Sequence, residues 1–312
     1  MPSGRSEISH RIRSVVRAAC FTGVLLLTGF SDNAAADKQP GYENYKDGYK
    51  GYLGDGILKA GEDSTAELAR AVQNPVADLI SVPLQNNLNF DVGPRERTQN
   101  VLNIQPVVPL DVSDDWLLIT RTILPIVSQP SFFPGDGGRE NGLGDTTFSA
   151  FLSPKDRERW LGNWLWGAGP VLLLPTSTDD RLGPGEWGAG PSVVALNITG
   201  PWVIGSLFSQ IWSFTDDGGD DEVSLFSWQP FINYNLDDGW YLSSSPLITA
   251  NWEADDEWTV PVGGGVGRIV VLGRQPVNLS LQSFYDVENP DNIGPEWSVR
   301  FTWQFLFPRG GG

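Results

Sequence analysis

The chain has one cysteine, one histidine and one methionine, at Cys20, His10 and Met1. Beyond them there is no thiol for a disulfide, no thiolate or imidazole to hold a metal, and no imidazole to act as an acid–base partner. The expectation is therefore a non-enzyme with no catalytic residue, no cofactor and no metal site. Serine–histidine hydrolase chemistry is excluded outright. Basic residues are scarce as well. Lys and Arg number 21 against 38 Asp and Glu, for a net charge of −17, which argues against nucleic acid as a partner. No run approaches the ~20 apolar residues of a membrane-spanning helix.

What is present begins with a secretory signal. Arg5, Arg11, Arg13 and Arg17 form a basic start, residues 18–30 an apolar core, and Ala34-Ala35-Ala36 a small-residue cleavage site before Asp37. An anchor that stays attached is the alternative, but a cleavage site directly after the core favours removal. Processing takes away four basic and two acidic residues, so the net charge moves from −17 to −19. It also removes Met1, His10 and Cys20.

The far end of the chain says most about architecture. Trp297, Val299, Phe301, Trp303, Phe305 and Phe307 alternate with Ser298, Arg300, Thr302, Gln304 and Leu306. A period of two sends these sets to opposite faces of one strand. An aromatic row on one face and polar groups on the other suit a strand between lipid and a polar lumen.

Eleven further segments have a similar texture: 79–92, 99–110, 116–128, 145–153, 164–174, 186–197, 202–215, 223–236, 240–253, 258–269 and 276–287. The predicted fold is all-β, a transmembrane antiparallel up-and-down β-barrel of about twelve strands over residues 79–307. The connections alternate in character. Those at 93–98, 129–144, 175–185, 216–222, 254–257 and 288–295 include the longest and richest in Gly and Asp. Those at 111–115, 154–163, 198–201, 237–239 and 270–275 include the tightest turns, which is the loop asymmetry of an outer-membrane barrel. Trp116, Trp164, Trp202 and Trp240 start strands at one edge. Trp187, Trp212, Trp252, Trp258 and Trp297 lie at the other edge, giving two interfacial belts.

The remaining divisions are a signal at 1–36, an N-terminal segment at 37–78 and a tail at 308–312. Tyr42, Tyr45, Tyr49 and Tyr52 mark the Tyr/Gly-rich start of the N-terminal segment, which reads as a periplasmic linker or, alternatively, a lumen plug. Ser64 and Glu67 form a capping-box pattern that predicts a short helix through Val72, limited by Pro75.

The stretches Gln73-Asn74-Pro75-Val76-Ala77-Asp78-Leu79-Ile80-Ser81, Gln85-Asn86-Asn87 and Arg97-Thr98-Gln99-Asn100-Val101-Leu102-Asn103-Ile104-Gln105-Pro106 are distinctive. With Gly142-Leu143-Gly144-Asp145 and Gly167-Ala168-Gly169-Pro170, the chain resembles a family of bacterial outer-membrane barrels. Its members are described as transporters linked to the phenol meta-cleavage pathway, and some are mislabelled neuromedin U. The resemblance runs from about Glu67 to Phe307. It implies an outer-membrane channel for small solutes, hydrophobic or aromatic ones among them, and supplies no catalytic residues. Pro308 and the tail after it depart from the usual terminal Phe.

Alternation also sketches the lumen. Gln85, Asn87, Asn103, Gln105, Gln229, Asn233, Asn251, Gln282 and Gln304 are expected to line it. Arg121 and Arg300 join them, because a charge on the lipid face near mid-membrane costs roughly 2–4 kcal/mol. Asp145 is expected to pair with Arg121 across neighbouring strands. The strands at 165–173 and 188–196 turn Gly, Val and Leu inward, so one wall is polar and the other apolar. Such a lumen suits an uncharged, partly hydrophobic solute, or is simply filled and braced by these side chains. Acidic pairs at Asp179-Asp180, Asp216-Asp217, Asp220-Asp221 and Asp255-Asp256 read as solvated charge or as a divalent-ion bridge to lipopolysaccharide. The expected partners are outer-membrane lipid and lipopolysaccharide, the barrel-assembly machinery and a small-molecule solute. The competing reading is a non-transport outer-membrane barrel with a structural role, or one that binds partners through its outer loops.

Overall fold

The wall is built from antiparallel strands that follow one short helix, α1 (Glu62–Val72). The first four strands are β1 (Leu79–Val92), β2 (Arg97–Ile104, continued by Val107–Asp111), β3 (Trp116–Gln129) and β4 (Glu140–Leu143, continued by Thr146–Pro154). The next four are β5 (Trp164–Leu174), β6 (Gly188–Thr199), β7 (Trp202–Ser213) and β8 (Ser224–Asn235). The last four are β9 (Trp240–Ser244, continued by Ile248–Asn251), β10 (Glu257–Leu272), β11 (Gln275–Glu288) and β12 (Trp297–Pro308). Each strand pairs with the next, and β12 returns to β1 from Leu79↔Pro308 to Phe90↔Trp297. The result is a closed barrel of twelve strands with no free edge. This computed structural model describes residues 62–132, 138–155, 164–214, 223–253, 257–290 and 293–308. The signal, the Tyr-rich stretch, the acidic pairs at 216–221 and 255–256, and the tail from Arg309 lie outside the described residues.

Three strands are interrupted for local reasons. Pro106 in β2 and Pro246 in β9 have no N–H to give to a ladder. Across the first break, Gln105 N–H still donates to the Pro83 carbonyl at 2.9 Å, and Thr122 N–H to that of Pro106 at 3.1 Å. In β4 the break at Gly144-Asp145 is a bulge between Val127↔Gly142 and Ile123↔Thr147. Glu140–Leu143 therefore belongs to the wall, paired with Ile126–Gln129, where the glycine-rich sequence read as loop.

Register fixes which face meets lipid. Leu242 pairs with Val266, Val266 with Leu281, and Leu281 with Phe301. All four are exposed, at 49%, 43%, 52% and 42%. An apolar row of this kind is a lipid-facing surface. Asn86 and Asn100 interrupt this face on β1 and β2 and satisfy each other, with Asn100 Nδ2 donating to Asn86 Oδ1 at 3.0 Å. Trp187, Trp202, Trp212, Trp240 and Trp297 are exposed at strand ends. Trp258 departs from the belt: it is buried, with its ring 5.6 Å from Trp252 and 6.1 Å from Phe226.

The inner face is filled at the end that carries the short turns, such as Gly273-Arg274, where Gly273 has φ +66°. Leu68, Ala69 and Ala71 of α1 pack with Ala77 against Leu79, Tyr241, Ile269 and Leu306 of the wall. Val76 inserts among Leu117, Ile119, Phe151, Leu165, Val194, Leu196, Val203, Leu207 and Phe231, which come from β3 to β8. Gly167 makes the room: a Cβ there would sit 2.9 Å from Val76 Cγ1. Gln73 and Asn235 lock the segment to the turn end with reciprocal amide hydrogen bonds of 2.9 and 3.1 Å. From Leu68 to Ala77, then, the chain before β1 forms a plug lodged inside the barrel, while the Tyr-rich stretch read as linker or plug lies outside the described residues.

Candidate functional site

Between the plug and the polar wall lies a chamber of about 220 Å³. The plug contributes residues 71–75 and Ala77. Of the residues expected to line the lumen, Gln85, Gln105, Arg121, Gln229, Asn233, Gln282, Arg300 and Gln304 face this chamber. Asn87 reaches it through Arg300, whose Nε donates to Asn87 Oδ1 at 3.0 Å. Asn103 is register partner to Gln85 and so shares its face. Asn251 lies nearer the loop end, paired with Leu225, and its Oδ1 accepts the Glu253 N–H at 3.2 Å in a local turn.

Asp145 is a correction. It does not pair with Arg121, whose register partner on β4 is Ser149. Instead, the Asp145 carboxylate accepts backbone N–H groups from Thr176, Ser177 and Gly185 at 3.0, 2.8 and 2.7 Å. These amides belong to the connection between β5 and β6, so Asp145 pins that loop to the bulge. The glycines beside it clear the space. A Cβ on Gly142 would meet Thr178 Oγ1 at 2.0 Å, and one on Gly144 the Leu182 carbonyl oxygen at 3.0 Å. Leu182 is buried against this strip. The Gly142-Leu143-Gly144-Asp145 motif is thus a dock for a loop. Farther out, Arg181 bridges Asp179 at 2.9 Å and Glu140 at 2.5 Å, and its hydrogen bond holds the Asp179 carboxyl below the ordinary carboxylate range.

Side-chain ladders brace the polar wall. Tyr241 donates to Asn278 at 2.7 Å, Asn278 to Gln304 at 3.1 Å, and Gln304 to Ser81 at 3.1 Å. Gln282 donates to Ser243 at 2.8 Å and accepts from Ser245 at 3.0 Å. Arg121 Nη2 donates to Gln105 Oε1 at 2.7 Å. Arg300 Nη1 donates to the Ser245 carbonyl at 2.8 Å, and its guanidinium carbon lies 4.9 Å from the Phe284 ring centroid. Cross-strand pairs of this type fix register as well as lining the space.

Sequence reasoning missed Tyr241, Phe231, Gln73, Asn74 and Val76. The first two were available from parity, since Tyr241 lies two residues before Ser243, and Phe231 lies between Gln229 and Asn233. Nothing local marks Gln73 and Val76, whose side-chain partners are distant in the chain, and Asn74 makes only local bonds.

No protein-family model matches the chain, and no curated protein matches it. Solved structures do. The COG4313 outer membrane channel from Pseudomonas putida F1 superposes with a TM-score of 0.56 at 20% identity, over 75% of this chain and 97% of that one. The NanC porin gives 0.45 at 9% identity, over 73% and 98%. CymD, a monoaromatic hydrocarbon channel, gives 0.40 at 10%, over 82% and 94%. Only the first of these is near enough to weigh, and what it shares is the fold. Together with the closed wall and its exposed apolar row, that fold places this chain in the bacterial outer membrane as a twelve-stranded barrel.

Proposed function

We propose that the chain is an outer-membrane channel for small, partly apolar solutes, aromatic ones among them, whose resting state is closed by the plug. The observation that carries this reading is the chamber. It is set inside a closed barrel, with amides and hydroxyls along its wall and apolar groups such as Val107 and Phe231 interleaved among them. Sites that bind drug-sized ligands occupy roughly 300–1,000 Å³. A space of about 220 Å³ suits a molecule with a single ring. The resemblance to transporters linked to phenol breakdown points to the same size and polarity.

The filled lumen favours a second reading, a barrel whose braced interior is structural. Liposomes separate the two. Phenol entry into vesicles carrying the folded protein is expected to exceed entry into protein-free vesicles, and to saturate with concentration. A flux equal to that of bare vesicles, from protein with the heat-modifiable gel mobility of a folded barrel, would leave the structural reading standing.

A further inference from the structure

We infer that the lumen chamber is a binding site for a small organic carboxylate, held by Arg121 and Arg300 where the wall meets the plug. The inference rests on the channel reading for its consequence, namely that the solute carries a negative charge. The binding itself can be measured on the closed barrel.

The charge balance is the first argument. Acids outnumber bases 38 to 21 in the chain, yet both charged residues lining the chamber are arginines. Among the described residues, no carboxylate forms an ion pair with either one. The ion pairs of Lys155 with Asp111 and of Arg181 with Asp179 and Glu140 lie elsewhere. Two like charges enclosed in one small space are costly without a counter-charge.

The donor inventory points the same way. A guanidinium has five N–H donors and no acceptor. Arg121 gives Nη2 to Gln105, and Arg300 gives Nε to Asn87 and Nη1 to Ser245. Arg121 Nε and Nη1 and Arg300 Nη2 have no hydrogen-bond acceptor among the described residues. On the plug side, Asn74 also lines the chamber. Asn74 Oδ1 accepts the Val76 N–H at 3.0 Å, which fixes the amide orientation. Its Nδ2 is then a buried donor with no hydrogen-bond partner among the described residues. A chamber whose two guanidiniums have N–H groups to spare calls for an acceptor, and a carboxylate offers the planar pair of oxygens that a guanidinium fork matches. Val107, Phe231 and Ala77 supply apolar lining for the rest of such a molecule, which a fully hydrated inorganic anion would not use.

The test is isothermal titration of the folded full chain in detergent with sodium benzoate, and with benzamide as its neutral counterpart. Benzoate is expected to bind saturably and benzamide at least about tenfold more weakly, a gap of roughly 1.4 kcal/mol. Two variants remove the site differently. Arg121→Gln deletes one charge. Gln105→Glu places a carboxylate beside Arg121 with little change of shape, and so fills the counter-charge role internally. Each should lower benzoate affinity about tenfold or more while keeping the gel mobility of the folded barrel. If either variant fails to fold, the other decides. Equal binding of benzoate and benzamide, no benzoate binding, or wild-type affinity in a folded variant would overturn the inference. Phenol flux without benzoate binding sinks this site and leaves the channel; benzoate binding without flux of either phenol or benzoate leaves the site and sinks the channel.

Discussion

Deleting residues 62–78 is expected to raise single-channel conductance several-fold over that of the full chain in planar bilayers. Those residues fill the turn end of the lumen, where Leu68, Ala69 and Ala71 meet Ile269 and Leu306, and Val76 enters the cluster formed by β3 to β8. With them gone, the inner face is lined by amides and hydroxyls on one side, and a polar lumen of this kind fills with water. Wall closure does not depend on the plug, because every strand already pairs with two neighbours. Point variants should act in the same direction. Val76→Asp exchanges a buried side chain worth roughly 1.5–3 kcal/mol for an unpaired charge among apolar groups. Gly167→Leu drives a Cβ to 2.9 Å from Val76 and to 3.2 Å from Phe151 Cβ. An unchanged conductance in a deletion mutant that inserts and shows heat-modifiable mobility would mean that the plug does not close the path.

How much of this could be read from the chain depends on how local each cause is. The alternation of Trp297 to Phe307 with Ser298 to Leu306 was legible because lipid and lumen alternate with the pleat itself. Lumen-facing Gln85, Arg300 and Gln304 followed from the same parity. Gly142 and Gly144 misled, since glycine beside asparagine and aspartate resembles a turn, whereas here the missing side chains admit Thr178 and Leu182. The partner of Asp145 was misread because strand register was unknown. Arg121 faces Ser149, and four residues of strand put Asp145 about 13 Å farther along. The plug left the faintest trace. Asn74-Pro75-Val76-Ala77 shows only a turn signal, and its role rests on side chains that the barrel gathers from six strands.

Placing two arginines on the outer face of β12 should abolish assembly. Phe301 and Trp303 are 42% and 40% exposed and point away from the chamber, while their neighbours Thr302 and Gln304 line it. Phe301 lies mid-strand, opposite Asn86 of β1 and Leu281 of β11. A cation at the bilayer midplane costs roughly 2–4 kcal/mol, so Phe301→Arg with Trp303→Arg costs about 4–8 kcal/mol against a typical total of about 5–15 kcal/mol. The damage also falls on the closing seam, since β12 and β1 share twelve register pairs from Leu79↔Pro308 to Phe90↔Trp297. A barrel that cannot join these strands keeps two open edges in the membrane, which hydrocarbon does not tolerate. We further propose that this same aromatic face is what the barrel-assembly machinery engages, despite Pro308 and the tail that follow Phe307. The double variant should therefore be degraded before insertion, leaving little heat-modifiable protein in the outer-membrane fraction. Trp303→Leu keeps the face apolar and should assemble normally, which separates loss of polarity matching from loss of a ring. Wild-type amounts of folded double variant in the membrane would show that this face is not the lipid face.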